Sequence, residues 1–459
     1  MLARMRLDEA RKRLPVVGQL PKPKTRHYST TEVPGSRPAL AAWEFTLACD
    51  HRCLHCGPRA GDARPNELTT EEALRLVDDL ADIGVGEVVL LGGEAYLRND
   101  FLLVIRKIRE RGMKASMITG GLGMTQKRAE AMVEAGVNKV GVSIDGLEDH
   151  HDFLRNREGS WKRAFEALRL LREAGAVISA NSQINRINLG DHEPLLELLG
   201  AAKVRSWQLQ LTCPHGNAVD NAEIMLQPYM LLEFFEQLER ILNRAPALGI
   251  TIWPANPLGY FGPLEGRLRK IQKLHWKGCQ AGSTVVSIES DGTIKNCPSL
   301  GGSLDVAGSW REHGLRALWY GAPEIRQLRE RTLDDLWGYC RDCYYAETCM
   351  AGCTALAEPL LGRPGNNPFC HHRALERDRE GLRERVEPIA TAPGMPFDNG
   401  LWRVILEHAD AQARAAHGGA IEITEPRVSR AIEPQGPGRP ITETELSGGV
   451  APFEPVRRD

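Results

Sequence analysis

The chain has 459 residues, 42% hydrophobic content and a formal net charge of −2, values typical of a globular protein with roughly two or three domains. The near-neutral charge and the lack of a basic stripe interleaved with aromatic residues argue against nucleic acid as a partner. No apolar run approaches the roughly 20 residues that span a bilayer, and the N-terminal residues lack the apolar stretch of a secretory signal. We therefore expect a cytoplasmic protein with no membrane partner.

Residues 1–40 are locally basic, and we expect them to form a solvated arm. From about residue 41 to 252, short apolar runs alternate with helical patterns, and a first helix is predicted over 69–82 from its TTEE start. The apolar runs read as buried parallel strands and cover residues 43–47, 87–91, 114–119, 139–144, 176–180 and 204–211. This alternation predicts an α/β fold whose parallel sheet is wound as a barrel or as an open doubly wound sheet.

The second half of the chain changes composition twice. Residues 253–278 are rich in glycine and proline and are predicted to connect two domains. Residues 279–372 hold seven of the eleven cysteines. Residues 373–459 begin with a charged helical stretch, include one amphipathic helix predicted over 401–417, and end in a Pro- and Gly-rich tail that we expect to be disordered.

Three cysteines follow the first predicted strand at C-x3-C-x2-C spacing, namely Cys49, Cys53 and Cys56. In a cytoplasmic chain such clustering favours metal or cluster ligation over disulfides. Three thiolates can hold three corners of a four-iron cluster and leave one iron open to a small molecule. The alternative is a zinc loop in which His51 or His55 supplies the fourth ligand, and the loop alone leaves both interpretations open.

A second array of cysteines occupies the later region. It runs Cys279-x12-Gly292-x4-Cys297, then Cys340-x2-Cys343-x5-Cys349-x3-Cys353, and finally Cys370. Pairs of the C-x2-C type are common in zinc ribbons, so two zinc sites are one interpretation. Two further iron–sulfur clusters are the other.

Polar residues follow two other predicted strands. Gly92, Gly93 and Glu94 come after the second strand, where glycines let the backbone approach a ligand and an acid can accept from an amine. Taken alone, the triplet is more typical of a simple turn. Ser143 and Asp145 end the fourth strand and are candidates for hydrogen bonds to ribose hydroxyls or to a substrate, with a capped turn as the alternative.

Two single residues complete the candidate site. Arg155 either faces a carboxylate or covers the mouth of the barrel. Cys213 follows the sixth strand, at the rim where catalytic residues of such folds gather. It either packs as a small hydrophobe, ligates iron, or donates a hydrogen atom to a carbon radical.

Together these motifs resemble the radical S-adenosylmethionine (radical SAM) superfamily, followed by a SPASM domain of the peptide-maturase type. Two departures are mild: His55 stands where the family has an aromatic residue, and Ala95 stands where a proline follows the GGE motif. The resemblance implies a partial (β/α)6 barrel of the TIM type, with S-adenosylmethionine and three [4Fe–4S] clusters as cofactors.

The resemblance also implies residue roles. The three cysteines of the first loop hold the SAM-binding cluster, and the GGE motif with Glu94 holds the methionyl amino group. The outer auxiliary cluster takes Cys340, Cys343, Cys349 and Cys370. The inner auxiliary cluster takes Cys279, Cys297 and Cys353. Its fourth position is either open or filled by another residue such as His275.

The resemblance implies an oxidoreductase that cleaves S-adenosylmethionine to a 5′-deoxyadenosyl radical and abstracts hydrogen from a peptide or protein, giving a cross-link, a thioether or an oxidised side chain. Pro298 occupies the place of the catalytic acid of anaerobic sulfatase-maturing enzymes, which disfavours formylglycine formation. One alternative is a small-molecule oxidase, decarboxylase or epimerase acting on a sugar, nucleotide or tetrapyrrole. Another is a non-catalytic electron carrier or zinc scaffold.

The expected partners follow from these interpretations. An electron donor such as flavodoxin or ferredoxin would reduce the first cluster. The segment before residue 41 is too short for a leader-binding module. Leader recognition would therefore need a separate protein, or the substrate is not a leader peptide.

Overall fold

The computed structural model describes residues 37–272, 275–301 and 305–426. The basic arm predicted for residues 1–40 lies almost entirely outside the described residues, and so does the Pro- and Gly-rich tail after residue 426. Among the described residues, no helix is both long and apolar enough to cross a bilayer.

Ten strands of the described chain form one sheet in the order β10-β9-β8-β1-β2-β3-β4-β5-β6-β7. Strands β1 to β7 run parallel to their neighbours, and β8 is added parallel to β1. The strands are β1 (Leu40–Thr46), β2 (Glu87–Gly92), β3 (Lys114–Thr119), β4 (Lys139–Ser143), β5 (Val177–Ile184), β6 (Ser206–Leu211), β7 (Thr251–Pro254), β8 (Val285–Ile288), β9 (Thr293–Lys295) and β10 (Val306–Ser309).

Helices connect the parallel strands and cover the sheet. In the first half they are α1 (Thr70–Asp82), α2 (Phe101–Glu110), α3 (Gln126–Glu134), α4 (Glu148–Arg155), α5 (Ser160–Glu173), α6 (His192–Ala201), α7 (Asn217–Asp220), α8 (Leu231–Arg244) and α9 (Glu265–Leu268). In the second half they are α10 (Trp310–His313), α11 (Leu315–Gly321), α12 (Pro323–Arg326), α13 (Ala346–Cys349), α14 (Thr354–Leu361), α15 (His371–Arg379) and α16 (Ala411–Ala416).

The predicted α/β class and the parallel sheet are confirmed. Each of the six apolar runs contains a strand, because residues such as Trp43 and Trp207 are fully buried between the sheet and its helices. Helix α1 begins where the TTEE motif predicts, since Thr69 and Glu72 cap each other's backbone N–H groups.

One parallel strand escaped prediction. Strand β7 has only four residues, ends in Pro254 and exposes alternate side chains, so it gives no apolar run. It extends past the predicted end of the barrel region at residue 252. The division of the chain into domains stays a prediction.

The cysteine-rich region is attached to the barrel through its own strands. Strand β8 pairs with β1 in the register Leu40 to Val285 and Trp43 to Ile288. The antiparallel strands β9 and β10 continue the sheet outward. Cys297 follows the last residue of β9, Lys295, by two positions.

The prediction of one helix over residues 401–417 is wrong. The chain forms β11 (Leu382–Ala390), β12 (Leu401–His408) and β13 (Ala420–Thr424), a second sheet in that order with antiparallel pairing. Only the short α16 is helical within the predicted span. Burial alternates along the first half of residues 401–408, and the pairing with β11 and β13 decides in favour of a strand.

Candidate functional site

The first cysteine loop, residues 47–61, follows β1 and is held at both ends. Cys49 N–H donates to the carbonyl of Gly61 at 2.9 Å, and Gly61 N–H donates to Leu47 at 3.0 Å. The tip of the loop is held by Asn217 of α7. The Asn217 side-chain amide donates to the carbonyl of Cys53 at 2.9 Å, and the Asn217 backbone N–H donates to the carbonyl of Cys56 at 3.0 Å. The loop is thus positioned at the carboxyl edge of the parallel strands.

The three thiols of this loop form a donor set that fits a cationic cluster. Burial raises the pKa of Cys49 and of Cys56 to about 12, with smaller contributions from the charge of Glu94 at Cys49 and of Cys53 at both thiols. Backbone N–H groups already point at two of the sulfurs, with His51 N–H 3.5 Å from Cys49 and Ala60 N–H 3.3 Å from Cys56. A bound metal cluster would supply the positive charge that buried thiolates need.

The two histidines of the loop have carboxylate partners. His51 Nδ1 lies 3.0 Å from Asp50, and His55 Nε2 lies 3.3 Å from Asp145. The group Cys49, Asp50 and His51 brings three possible ligand atoms within 4.8 Å of one another, and the His51–Asp50 hydrogen bond accounts for much of that proximity. These partners favour a role for the histidines in shaping the loop over the zinc-ligand role considered above.

The GGE motif packs directly on the cysteine loop. A Cβ on Gly93 would lie 2.0 Å from the carbonyl oxygen of Ala48, and one on Gly92 would lie 2.5 Å from that of Thr46, so only glycine fits at either position. Glu94 N–H donates to Ala48 at 2.7 Å, which fixes the acid next to Cys49. The glycines therefore serve the approach of two loops to each other.

Glu94 is a buried acid with one unpartnered oxygen. Its Oε2 accepts from Gly120 N–H at 2.8 Å, while Oε1 has no hydrogen-bond partner among the described residues. Burial raises the pKa of Glu94 to about 8, and the charge of Asp50 adds to the shift. An ammonium group placed at Oε1 would satisfy the acid, so the residue fits the predicted contact with an amine.

Asp145 lies beneath the cysteine loop with both oxygens engaged. Its Oδ1 accepts from Gln183 N–H at 2.9 Å, and its Oδ2 is 2.6 Å from Arg155 and 3.3 Å from His55. Burial opposes ionisation, but the charges of Arg155 and His55 outweigh it and lower the pKa of Asp145. These partners make Asp145 a positioning residue for the loop, and direct contact with ribose has no support in its surroundings.

Ser143 and Arg155 are the other two predicted site residues near the end of β4. Ser143, the last residue of β4, is partly buried and is paired in register with Asn181 of β5. Its predicted contact with ribose or substrate stays a prediction. Arg155 faces a carboxylate, one of the two roles considered, and its Nη1 also lies 3.7 Å from Cys53 Sγ.

Four cysteines of the later region form what we call the outer thiol group. Its members are Cys340, Cys343, Cys349 and Cys370. Burial raises the pKa of Cys349 well above its usual value, and the charges of the other three thiols raise it further, which requires all four to lie close together. Burial raises the pKa of Cys340, and the positive charge of Arg373 beside it offsets only part of that shift.

A second set, the inner thiol group, combines the later region with the barrel. Its members are Cys213, Cys279, Cys297 and Cys353. Burial raises the pKa of Cys297 well above its usual value, as do the charges of Cys279 and Cys353. Burial raises the pKa of Cys353 well above its usual value, and the charge of Cys213 adds to the shift. Cys213 thus lies with the auxiliary cysteines.

Tyr260 lies between the two thiol groups, a position that no motif of the sequence indicates. The N–H of Cys353, from the inner group, donates to its hydroxyl at 2.9 Å. The thiol of Cys370, from the outer group, lies 3.7 Å from its carbonyl oxygen. The ring is fully buried and the backbone is left-handed with φ of 82°, which marks a tightly constrained position.

The loop between β11 and β12, which we call the C-terminal loop (residues 391–400), reaches the first cysteine loop. Phe397 N–H donates to the carbonyl of Gly57 at 2.9 Å, and Asp398 accepts from Arg59 Nε at 2.9 Å. The Phe397 ring covers the ammonium group of Lys295 at 3.8 Å. His215, whose two ring nitrogens are buried without a hydrogen-bond partner among the described residues, lies 6.1 Å from the same ring.

Comparison with known families decides the assignment. A model of the radical SAM superfamily matches residues 43–205, and a model of the SPASM iron-sulfur cluster-binding domain matches residues 279–344. The chain carries a radical SAM domain and a SPASM domain. The prediction of an enzyme of the radical SAM oxidoreductase type, which binds S-adenosylmethionine and iron–sulfur clusters, is confirmed.

The radical SAM/SPASM chain resembles proteins with different substrates. It is 29% identical over 351 residues to the AdoMet-dependent heme synthase of Methanosarcina barkeri, covering 73% of this chain and 97% of that protein. It is 28% identical over 366 residues to the mycofactocin maturase MftC of Mycobacterium ulcerans, covering 76% and 93%.

A solved structure shares the fold. Streptococcus suis SuiB bound to S-adenosylmethionine superposes with a TM-score of 0.56 at 17% identity, covering 69% of this chain and 73% of SuiB.

Proposed function

We propose that this enzyme abstracts a hydrogen atom from a substrate carbon and then removes a second electron from the substrate, so that the net reaction is an oxidation. The observation that carries the proposal is the presence of two groups of buried thiols, one of which includes Cys213 from the barrel, and we propose that each group holds an auxiliary cluster. Clusters in the usual range of potentials can accept an electron from a carbon radical.

In this proposal Cys49, Cys53 and Cys56 hold a [4Fe–4S] cluster with one iron left for S-adenosylmethionine. When bound, the cluster and S-adenosylmethionine supply the 5′-deoxyadenosyl radical. Glu94 accepts from the methionyl ammonium group, and its unpartnered Oε1 supports this role. Ser143 is proposed to contact the ribose. The outer cluster takes Cys340, Cys343, Cys349 and Cys370, and the inner cluster takes Cys279, Cys297 and Cys353.

The chain's own work is to exclude water and to aim one C–H bond at the radical. The C-terminal loop covers the first cysteine loop through Phe397 and Asp398, which supports exclusion of solvent from this side. Asp145, His55 and Arg155 brace the loop from below, so the radical would form at a fixed position.

We propose a peptide or protein as the substrate, with a cross-link, a thioether or an oxidised side chain as the product. The resemblance to MftC, a maturase, over 93% of its length supports this class. A separate leader-binding protein and a flavodoxin or ferredoxin as electron donor belong to the same proposal.

A tetrapyrrole is the second candidate substrate. It is favoured by the resemblance to the AdoMet-dependent heme synthase, of which the chain covers 97%. The two candidates share the hydrogen abstraction and the loss of a second electron, and they differ in what the barrel mouth must accommodate.

The test uses the full chain, reconstituted anaerobically with iron and sulfide, reduced, and given S-adenosylmethionine. We expect 5′-deoxyadenosine, whose yield rises when the correct substrate is added, with deuterium carried into it from a deuterated substrate. Short peptides encoded beside the gene and an iron porphyrin would be compared in parallel. Failure to form 5′-deoxyadenosine with fully loaded protein would favour the electron-carrier alternative and contradict the proposal.

A further inference from the structure

The inner thiol group contains a cysteine that comes from the barrel and not from the cysteine-rich region. Strand β6 ends at Leu211, Thr212 N–H still pairs with Ile184 of β5 at 3.0 Å, and Cys213 follows at once. Pro214 and a tight turn, in which His215 N–H donates to the carbonyl of Cys213 at 2.9 Å, then redirect the chain. The thiol position is therefore fixed by the end of a buried strand.

Cys213 packs against two cores at once. It contacts the apolar core of the barrel, and it also contacts the smaller core that contains Cys297 and Cys353. Cys279 lies against the same smaller core. The barrel thus contributes one thiol to the core that holds the three inner cysteines, a core against which Cys343, Cys349 and Cys370 of the outer group also pack.

We propose that Cys213 is the fourth thiolate of the inner auxiliary cluster, so that this cluster is closed by four cysteines of which one belongs to the barrel. The inference rests on the proposed function, because it needs an iron–sulfur cluster at the inner thiol group. On ligation the Cys213 thiol gives up its proton as the sulfur–iron bond forms, and no electron is exchanged. Four thiolates complete the coordination of a cubane cluster.

The alternative ligand is His275, whose Nδ1 donates to the carbonyl of Trp276 at 2.8 Å and leaves Nε2 available to iron. Its ring lies beside Phe261 of the same smaller core, so the experiment below has to separate the two residues. Cys213 has no need of a role as hydrogen-atom donor once it is bound to iron. The two functions are mutually exclusive, because a metal-bound thiolate carries no S–H bond.

A closed inner cluster has a consequence for the reaction. With no vacant iron it cannot bind a substrate atom, so it serves electron transfer alone. Because Cys213 lies just after the end of β6, the inner cluster would be attached directly to the rim of the barrel where the substrate lies. Electron transfer from the substrate would then cross a short, rigid path.

The experiment removes the first cluster so that only the auxiliary clusters are observed. In a C49A/C53A/C56A background, Cys213→Ala, Cys213→Ser and the neighbouring control Thr212→Ala are reconstituted with 57Fe and sulfide. The background and Thr212→Ala are expected to hold about eight irons per chain in two four-iron clusters. Mössbauer and EPR spectra are recorded before and after mild oxidation.

For Cys213→Ala we expect oxidation to release about one iron per chain and to give a three-iron cluster signal from the inner site only. Cys213→Ser should keep the four-iron cluster with a shifted potential, because serinate is a weaker ligand. If Cys213 had only a structural role, Cys213→Ala would not lose iron on oxidation, and Cys213→Ser would have no lost iron to restore.

Spectra of Cys213→Ala that match those of Thr212→Ala would overturn the inference while leaving the proposed function intact. A background protein that binds zinc, or no metal, at its eight remaining cysteines would instead overturn the proposed function and the inference with it.

Discussion

The guanidinium of Arg155 bridges Cys53 and Asp145, with Nη1 3.7 Å from the sulfur and Nη2 2.6 Å from the carboxylate. Asp145 is fully buried, and it also holds His55, which stands between two cysteines of the first loop. A positive charge is therefore fixed beside one predicted ligand of the SAM-binding cluster. Hydrogen bonds to cluster sulfurs and nearby charges set cluster potentials.

Replacing Arg155 by methionine should lower the potential of the first cluster, because the reduced cluster carries one more negative charge and loses its cationic neighbour. We expect S-adenosylmethionine cleavage to slow by about 10–100-fold, the range seen when partners of metal ligands are removed. The measurement is an EPR-monitored redox titration together with the rate of 5′-deoxyadenosine formation.

Arg52→Met is the matched control for Arg155. Arg52 lies in the same loop, but it donates to the backbone carbonyls of Cys49 and His51 and is largely exposed. The potential should stay near that of the unchanged enzyme in this variant. An equal shift in both variants would show that the loop responds to any loss of charge and that Arg155 has no special role.

The sequence predicted the chemistry of this region better than its geometry. The cysteines, the GGE motif and Asp145 follow strand ends, and parallel strands bring such residues to one edge. Their partners were harder to infer. Asp145 looked available to a ligand because the sequence does not reveal that α4 returns Arg155 to it.

Contacts between distant parts of the chain were beyond prediction. Arg59 and Asp398 are separated by 339 positions, and no local pattern relates them. The placement of Cys213 beside Cys297 and Cys353 likewise depends on how β8 adds to β1, which is a property of the assembled sheet. The same dependence explains the error at residues 401–417, where pairing with β11 overrides the helical pattern.

Glu94→Gln tests the amine contact. The substitution keeps the shape and removes the negative charge, so a charge-assisted hydrogen bond worth roughly 1.5–3 kcal/mol is weakened. We expect the affinity for S-adenosylmethionine to fall by about 10–100-fold. Calorimetry or the change in the cluster's EPR spectrum on binding would measure it.

Glu87→Gln controls for the loss of a buried acid. Glu87 is the first residue of β2, and Glu94 follows the last residue of that strand, so the two acids lie at opposite ends of β2. Glu87 accepts a hydrogen bond from the Ser116 hydroxyl at 2.7 Å. Its replacement should leave S-adenosylmethionine affinity unchanged. Unaltered affinity in Glu94→Gln would remove Glu94 from the proposed binding site.

Asp398→Ala should loosen the cover over the first cysteine loop. Asp398 accepts from Arg59 and from the N–H groups of the C-terminal loop, among them Met395 at 2.7 Å. We expect the first cluster to lose iron to a chelator several-fold faster, because solvent reaches the loop more often. Absorbance during anaerobic chelation would follow the loss.

The control for Asp398 removes the other carboxylate of the same arginine. Asp220 also accepts from Arg59, but its side chain is about half exposed. This hydrogen bond joins Arg59 to α7 and not to the C-terminal loop. Asp220→Ala should therefore leave the rate of iron loss close to that of the unchanged enzyme. Equal acceleration in both variants would mean that Arg59 itself, and not the C-terminal loop, protects the cluster.

Glu384→Gln tests how the second sheet supports the outer thiol group. Arg373, beside Cys340, makes a two-point ion pair with Glu384 at 2.6 and 2.8 Å, and both side chains are buried. Breaking a buried pair leaves an uncompensated charge and typically costs about 3–5 kcal/mol. We expect a lower free energy of unfolding and loss of the outer cluster before the others on mild denaturation.

Glu380→Gln provides the comparison for Glu384, since Glu380 pairs with Arg377 at 2.9 Å from an exposed position at the end of the same helix, α15. Exposed pairs contribute about 0–1 kcal/mol, so stability and iron content should hardly change. If Glu384→Gln behaved like Glu380→Gln in denaturant titrations followed by iron absorbance, the second sheet would have no part in holding the outer cluster. An early and selective loss of four irons would instead link the strand pairing of β11 to the coordination of Cys340 through Arg373, the nearer of the two arginines that pair with Glu384.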